Sequence, residues 1–384
     1  MNINFCYQNN TLQNISLPKE VQTPCYIYSQ EQAIKNFHSL TTTLVDIQKL
    51  VAFSIKSCHN NTLVQTLIKN GAGIDCVSLG EMKLAIELGC LPQNIVLAGI
   101  GKTDEEIIYA IQQNILQINV ESKEEMLIIN HLAGNLGKNA RIALRVNPHL
   151  KVENYTHDKI TTGKIGNKFG IDITDIPHTL DILKNCKNLS FNGFACHIGS
   201  QILDASLFDV AFTILTDLIQ KTESKGFEFK TVDFGGGIGV QYSSSDQQFN
   251  YNTYKNAIKK CLSSIKSKPL AIFEPGRVIS ANAGILLTKV LYIKETSHTK
   301  FAIIDAGMQN LVRPAMYDSF HEIIPLQIDN TKPKEIYTIV GPICESSDVF
   351  LKNYEMQKLE RGDIVAILNA GAYGEVMSSN YNIR

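Results

Sequence analysis

Strand-like and helix-like segments alternate along most of this chain, and the alternation limits its possible folds more than any other sequence feature. From residue 51 onward, short apolar runs rich in β-formers are each followed by a stretch with helical periodicity. The eight runs are VAFSIK, GIDCVS, NIVLAG, LQINVE, ARIALRVNP, SFNGFACHIG, FKTVDFGGG and LAIFEPGR. Eight such units in about 230 residues predict a (β/α)8 TIM barrel, an α/β fold. A doubly wound open sheet is the alternative, but no GxGxxG opens the first unit.

The pattern changes after residue 280, where strand-like runs follow one another without long helices between them. LLTKVLYIKE, KFAIIDAG, EIYTIVGP and DIVAILNAG predict a mainly antiparallel β domain. The run TPCYIYS near the amino terminus is another strand, which we expect to join this β domain. The predicted division is an N-terminal strand in residues 1–30, the barrel in 31–278 and the β domain in 279–384.

Composition excludes several classes of partner. The chain carries 36 basic and 37 acidic residues, a net charge of -1, with no basic stripe of the kind that nucleic acid requires. No stretch approaches membrane-spanning length, and MNINFCYQNN lacks the basic region and apolar run of a secretory signal. Nine scattered cysteines without a CxxC pair indicate reduced thiols. We therefore expect a cytoplasmic protein with a small-molecule substrate, no nucleic acid, no membrane and no metal site.

Polar side chains collect where the predicted strands end. Barrel enzymes carry their active residues at the carboxyl ends of the strands. These ends here carry an amine, an imidazole, a hydroxyl, a glycine turn, a carboxylate and a guanidinium: Lys56, His197, Ser200, Gly235, Gly236, Gly237, Glu274 and Arg277. Each alone has an ordinary explanation, such as a tight turn or a hydrogen-bonded core histidine. Their occurrence together on one rim of the barrel indicates an active site.

Lys56 is unusual because it closes an apolar run. A lysine there either extends its ammonium group to water or is partly buried with a lowered pKa, as a nucleophilic amine requires. Pyridoxal phosphate matches the whole set of groups. Its aldehyde bonds an uncharged lysine, its phosphate suits a glycine turn, its ring stacks on an imidazole, and a carboxylate at its pyridine nitrogen strengthens the electron sink. We therefore predict a pyridoxal 5'-phosphate site with Lys56 uncharged and Glu274 at the ring nitrogen.

Longer motifs make the chain recognisable from about residue 23 to its end. They are CHIGSQI, VDFGGGIGV, FEPGR, ANAGILLTKVLYIK, IDAGMQNLVRPAMYD, GPICESSD and NAGAYGEVMSSNYN. With these motifs the chain resembles the diaminopimelate decarboxylases, fold-type III pyridoxal-phosphate enzymes with an alanine racemase-like barrel. The segment TTGKIGNKFGID (161–172) resembles the loop that follows the fifth strand in that family.

The resemblance implies a role for each residue of the site. Lys56, His197 and Cys344 would be catalytic, with Lys56 bonded to the cofactor and Cys344 as proton donor near Cα. The cofactor would contact Lys56, His197, Ser200, Gly235, Gly236, Gly237, Glu274, Gly276, Arg277 and Tyr373. The substrate would contact Arg277, Arg313, Tyr317, Glu345 and Tyr373. The Cys-Glu loop would enter from a partner subunit, which implies a homodimer with shared active sites.

The implied reaction is decarboxylation of meso-2,6-diaminopimelate to L-lysine and CO2, the last step of lysine biosynthesis. Two arginines and a glutamate suit the carboxylate and amine at the far end of that substrate, whereas lysine and ornithine have no such carboxylate. The alternatives are a related decarboxylase acting on lysine, ornithine or carboxynorspermidine, and a catalytically silent regulatory relative. Glu274 disfavours a racemase, because a carboxylate at the ring nitrogen makes the cofactor a strong electron sink and racemases are suited by a weaker one.

The chain also departs from the family pattern. Lys56 is followed by Ser57 and Cys58 where Ala-Asn is common, and Leu79 stands where a glycine is common. The sequence stops at SSNYNIR, where the family normally continues through another strand. We expect these differences to affect packing, stability or the dimer rather than to remove a named role.

Overall fold

Eight parallel strands close into a barrel in the computed structural model, which describes residues 5–8, 11–13, 21–150 and 166–384. The strands before and within the barrel region are β1 (Cys6–Gln8), β2 (Thr11–Gln13), β3 (Cys25–Tyr28), β4 (Lys49–Ser54), β5 (Gly73–Cys76), β6 (Ile95–Leu97), β7 (Gln117–Val120), β8 (Ala140–Asn147), β9 (Ile171–Asp172), β10 (Leu189–Ala195), β11 (Thr231–Asp233) and β12 (Leu270–Phe273). The later strands are β13 (Gly284–Glu295), β14 (Lys300–Ile304), β15 (Ile323–Pro325), β16 (Lys334–Val340), β17 (Val349–Gln357) and β18 (Ile364–Ile367). The helices are α1 (Gln30–Thr43), α2 (Asn61–Lys69), α3 (Leu79–Glu87), α4 (Asp104–Gln113), α5 (Lys123–Asn135), α6 (Ile176–Leu183), α7 (Ser206–Glu223), α8 (Tyr251–Ser263), α9 (Arg277–Ser280) and α10 (Arg313–Tyr317).

The barrel closes through parallel pairing of its first and last members in the sheet order. Strands β10, β11, β12, β4, β5, β6, β7 and β8 pair in sequence, and β10 also pairs with β8. The prediction of a TIM barrel is therefore confirmed, and the doubly wound sheet is excluded because an open sheet has two edges. The short β9 extends the sheet from β8 outside the barrel.

Alternating residues give the barrel an apolar floor and a polar rim. On β4, Val51 and Phe53 pack outward against the helices, while Leu50 and Ala52 join an interior cluster with residues of β6 and β12. With a side-chain period of two, the next inward position is Ser54, at the carboxyl end of the strand. The interior thus changes from apolar to polar where the site lies.

The helix starts follow their sequence signals. Thr103 accepts from the Glu106 amide and the Glu106 side chain accepts from the Thr103 amide, so the predicted capping box is present. Ser122 likewise accepts from the Glu125 amide at the start of α5. These caps fix where each helix begins and hence the length of the loop that leaves the preceding strand.

A second sheet packs beside the barrel and contains one strand from the start of the chain. Strand β3 pairs antiparallel with β13, so residues 25–28 lie in the sheet formed by the chain's last third. The pairing of β14 with β16 is parallel, and the other pairings of this sheet are antiparallel among the described strands. A separate antiparallel pair, β1 with β2, was not predicted.

One predicted loop lies partly outside the described residues. Residues 161–165 of the predicted loop at 161–172 lie outside the described residues. Within the described ranges, no helix has the length and apolar character needed to span a membrane.

Candidate active site

Two adjoining cavities lie at the carboxyl ends of the barrel strands. One, of about 230 Å³, is lined by Lys56 and Glu274. The other, of about 410 Å³, is lined by Arg277 and Arg313. His197 borders both, as does Phe169, so the cavities form one compartment. Ser200, Tyr317 and Tyr373 also line the larger cavity.

Lys56 lies just beyond the end of its strand rather than on it. Strand β4 ends at Ser54, and a 3-10 turn over Ile55–Ser57 carries the lysine to the rim. Its Nζ donates to Oδ2 of Asp75 at 2.7 Å, and a third of its side-chain surface remains exposed, against none for Asp75. Burial alone would lower the pKa of Lys56, but the carboxylates of Asp75 and Glu274 outweigh it and raise the pKa. The expectation of an uncharged amine is therefore wrong for the chain without cofactor, because Asp75 pairs with the ammonium.

Glu274 belongs to a network of buried polar side chains below the rim. Asn119 donates to Oδ2 of Asp233 at 2.9 Å and to Oε1 of Glu274 at 3.2 Å. Gln117 in turn donates to Asn119 at 2.8 Å. Burial raises the pKa of both carboxyl groups, and their mutual repulsion raises that of Glu274 further. Close buried carboxylates cannot both ionise easily, so this pair retains a proton near neutral pH.

The glycine turn after β11 packs against the loops that carry the other groups. Gly235 and Gly237 have φ values of 64° and 108°, which favour glycine. A Cβ on Gly235 would lie 2.6 Å from the Cys196 carbonyl oxygen. The Gly236 amide donates to Nδ1 of His197 at 3.1 Å, which leaves the proton of a neutral imidazole on Nε2. Burial, with Arg145 and Lys56 nearby, lowers the pKa of His197 well below its usual value, so the ring is neutral.

Two buried guanidinium groups face the larger cavity without a carboxylate partner among the described residues. Arg277 donates to the Tyr242 hydroxyl at 2.7 Å and to Ser200 at 3.0 Å, and its Nε has no hydrogen-bond partner in the part of the chain that the structure describes. Arg313 contacts His321 at 2.7 Å. Both arginines are less than a tenth exposed. Buried charges normally have a counter-charge, so this arrangement indicates an anionic ligand.

Three other predicted residues lie next to the segments that carry Lys56, Arg277 and Arg313. Gly276 precedes α9, and a Cβ there would lie 3.0 Å from the Ser57 side chain. The Tyr373 amide donates to the Ser57 carbonyl at 2.8 Å, and the Tyr373 ring lies 4.9 Å from the Arg277 guanidinium carbon. Tyr317 ends the short helix that Arg313 begins.

Cys344 and Glu345 do not join this compartment in the described chain. Both are exposed on the loop between β16 and β17, and neither lines the two cavities. The Tyr381 hydroxyl donates to Glu345 at 2.6 Å, and the Cys344 amide donates to Asn382 at 3.2 Å. Within one copy of the chain, the two residues therefore lie apart from Lys56.

Several residues of the site were not predicted from the sequence. They are Asp75, Asn119, Arg145, Asp233, Tyr242 and His321. Asp75, Asn119 and Asp233 are polar residues inside apolar strands, a signal that could have marked them as inward-facing. Tyr242 and His321 carry no comparable signal, because each lies in a connection between secondary-structure elements.

Comparisons with known proteins agree with this geometry. Residues 30–281 match the family model for the pyridoxal-binding domain of pyridoxal-dependent decarboxylases. A diaminopimelate decarboxylase from Aquifex aeolicus is 41% identical over 97% of this chain and 88% of its own length. The one from Methanocaldococcus jannaschii is 38% identical over 96% of this chain and 86% of its own.

Solved structures give the same assignment. The structure of Helicobacter pylori diaminopimelate decarboxylase complexed with L-lysine aligns with a TM-score of 0.89 at 35% identity, over 94% of this chain and 89% of that one. A Paramecium bursaria Chlorella virus arginine decarboxylase, at 21% identity and a TM-score of 0.83 over 94% of each chain, shares the fold. The rim of an eight-stranded barrel, the full-length relatives and the matched domain together place this chain in the diaminopimelate decarboxylase family of pyridoxal-dependent decarboxylases.

Proposed function

We propose that the chain decarboxylates meso-2,6-diaminopimelate to L-lysine and CO2 with pyridoxal 5'-phosphate as cofactor. The observation that carries this proposal is a pair of buried arginines beside the cavity of Lys56, Arg277 and Arg313, for which the described residues offer no counter-charge. Together these two cations suit the substrate carboxylate that is not lost, and Arg277, which also donates to Ser200, would in addition face the cofactor phosphate. A decarboxylase for lysine or ornithine needs no second anion.

The residues present fit the proposed cofactor. Lys56 offers an amine inside the smaller cavity, and Glu274 lies at its buried side. The turn of Gly235, Gly236 and Gly237 brings backbone close to the neighbouring loop, where a side chain would collide. When bound, pyridoxal phosphate supplies a covalent link to amines and a ring that accepts the electrons released as CO2 leaves.

Before the cofactor bonds, Lys56 must pass its extra proton on. Asp75 holds the ammonium at 2.7 Å and is its direct partner. Oδ2 of Asp75 accepts from both Lys56 and Ser54, while its buried Oδ1 has no hydrogen-bond partner among the described residues. We therefore propose that Asp75 holds Lys56 at the rim while the lysine is protonated, that is, before Lys56 bonds the cofactor and after the cofactor is released.

Glu274 and Asp233 hold a proton where the ring nitrogen would lie. Their raised pKa values keep that proton near neutral pH, so it is available to a pyridine nitrogen that approaches Glu274. Asn119 binds both carboxyl groups and fixes their separation. His197, neutral and anchored by the Gly236 amide, offers a flat face that does not compete for this proton.

At the far end of the substrate, Arg277 and Arg313 would bind the retained carboxylate, with Tyr317 and Tyr373 beside it. Glu345 would pair with the distal amine, and Cys344 would return a proton to Cα after CO2 leaves. Because both residues lie on an exposed loop away from their own cavity, we propose that a second copy of the chain supplies them. The active unit is then a homodimer with shared sites.

Mixing two inactive variants tests the shared site. Lys56→Ala and Cys344→Ala would each inactivate a homodimer, but a mixed dimer keeps one intact site. Random reassortment should restore about a quarter of wild-type activity, because half of the dimers are mixed and one of their two sites is complete. No recovery after confirmed subunit exchange would contradict the shared site.

Substrate assays test the proposed activity. Release of CO2 should be rapid from meso-diaminopimelate and far slower from lysine, ornithine or carboxynorspermidine, with L-lysine as the product. A preference for one of the other three substrates would replace the proposed reaction by that of the corresponding decarboxylase. No release from any of them, with cofactor bound, would favour a catalytically silent relative.

We also propose the domain division 1–30, 31–278 and 279–384. Pairing of β3 with β13 supports the first boundary, and the match to residues 30–281 supports the second.

A cytoplasmic location is part of the same proposal, since every described cysteine side chain is a free thiol. Limited proteolysis and fractionation would test these two points.

A further inference from the structure

Among the described residues, His321 contacts the site through Arg313 and Tyr242, and protein encloses the rest of its side chain. The residue is 1% exposed and precedes β15. Its Nδ1 lies 2.8 Å from the carbonyl oxygen of Leu368, and its Nε2 lies 2.7 Å from Nη1 of Arg313. Since a carbonyl oxygen only accepts, the ring proton must lie on Nδ1. Nε2 is then a bare acceptor, and Arg313 donates to it.

The backbone fixes the position of this ring. Strand β15 pairs antiparallel with β18, and the Leu368 amide donates to the Glu322 carbonyl at 2.8 Å. The histidine therefore bridges two neighbouring segments of the second sheet. Its acceptor nitrogen points at Arg313 with little freedom to move.

Tyr242 separates the two arginines of the cavity. Its ring lies 4.7 Å from the guanidinium carbon of Arg313 and 5.9 Å from that of Arg277. The His321 ring meets the Tyr242 ring edge-on, with centroids 5.2 Å apart at 71°. Nε2 of His321 therefore holds the Arg313 guanidinium, and the Tyr242 ring contacts the guanidinium groups of both arginines.

The charge state of His321 matters for what Arg313 can bind. Burial, together with Arg313, lowers the pKa of His321 to about 3, so the ring stays neutral at physiological pH. A neutral acceptor orients a guanidinium without cancelling its charge, whereas a carboxylate in the same place would form an ion pair with it. Arg313 keeps its full charge for a ligand.

We propose that His321 is a positioning residue that holds Arg313, still fully charged, for the carboxylate at the far end of the substrate. This inference rests on the proposed function and deepens it by naming the residue that sets the preference for a carboxylate. His321 itself touches neither substrate nor cofactor. Its effect should therefore appear only with ligands that carry the carboxylate.

The test compares two amines that differ in that group alone. L-lysine carries the carboxylate, and cadaverine is the same chain without it. Binding of either amine to the holoenzyme is read from the change in cofactor absorbance, without turnover. Wild-type protein should bind lysine much more tightly than cadaverine, because only lysine engages Arg313.

His321→Gln and His321→Glu form a matched pair of similar size. Glutamine retains a neutral acceptor and should weaken lysine binding by less than about tenfold, whereas glutamate pairs with Arg313 and should weaken it by about a hundredfold. Cadaverine binding should change less than threefold, in line with a role confined to the carboxylate. The KM for meso-diaminopimelate should follow lysine, with kcat changed less. Tyr337→Phe controls for a general loss of packing, because it removes a buried hydroxyl of the second sheet that contacts Glu335 and the Leu359 amide and does not line the larger cavity.

Several outcomes would overturn the inference. Equal losses for lysine and cadaverine, or lysine affinity unchanged in His321→Glu, would mean that His321 is only structural. If His321→Glu does not fold, His321→Phe takes its place, and a loss for lysine of less than about threefold would refute the role. A wild-type protein that does not prefer lysine over cadaverine would overturn the proposed carboxylate site as well, so the two failures can be told apart.

Discussion

Replacing Lys56 should destabilise the cofactor-free protein as well as inactivate it. Asp75 is fully buried, and Lys56 is its one ion-pair partner among the described residues. In Lys56→Ala, Asp75 keeps only the hydrogen bond from Ser54 at 2.6 Å. The variant therefore leaves a buried carboxylate without a counter-charge.

The size of this effect follows from the burial of the two partners. Removing one member of a fully buried ion pair costs about 3 to 5 kcal/mol. Because a third of the Lys56 side chain is exposed to the cavity, water screens part of the interaction. We expect Lys56→Ala to lower the free energy of unfolding by roughly 2 to 3 kcal/mol.

A second substitution separates the electrostatic effect from simple truncation. Asp75→Asn removes the charge that Lys56→Ala leaves unpaired, so the double variant should recover most of the lost stability while remaining inactive. Urea unfolding of the four cofactor-free proteins measures the coupling free energy. Strictly additive losses, or no loss in Lys56→Ala, would refute the account of the ion pair.

Three further predictions concern the other groups of the site. Glu274→Gln should lower kcat by about a hundredfold while cofactor absorbance persists, because an amide cannot share the ring proton; near-normal kcat would contradict this. Gly235→Ala should weaken cofactor binding at least about tenfold, since φ is 64° and the added Cβ would lie 2.6 Å from the Cys196 oxygen; unchanged affinity by equilibrium dialysis would argue against a glycine requirement. Burial raises the pKa of Asp233 to about 6, so its contribution to stability is present at low pH and is lost as the pH rises through that value. Asp233→Asn should remove this loss, and unfolding curves of wild type and variant that run parallel from pH 4 to pH 7 would refute it.

The sequence predicted the barrel because periodicity and cap signals are local. Strand runs and caps such as Thr103 lie where they were expected, since each depends on a few neighbouring residues. The ionisation of Lys56 was not predictable in this way. It depends on Asp75, which comes from the next strand and becomes a neighbour only when β4 and β5 pair.

The same distinction applies to the rest of the site. Residues at strand ends, such as His197 and Glu274, could be assigned to the rim because barrel topology alone brings them together. His321 meets Arg313 across the connection between α10 and β15, and its ring is oriented by the carbonyl of Leu368, which follows β18 far along the chain, so no local pattern encodes the contact. The contacts proposed for Glu345 cannot be described from one copy of the chain, because they involve a second copy.

Borohydride reduction of the holoenzyme followed by peptide mapping would show whether Lys56 is the residue that bonds the cofactor. Reduction fixes the cofactor to the lysine that holds it, and mass spectrometry then identifies the peptide. A pyridoxyl group should appear on the peptide that contains Lys56, and it should be absent from Lys56→Ala. Labelling of a different lysine, or no label on a protein that still releases CO2 from meso-diaminopimelate, would contradict this assignment.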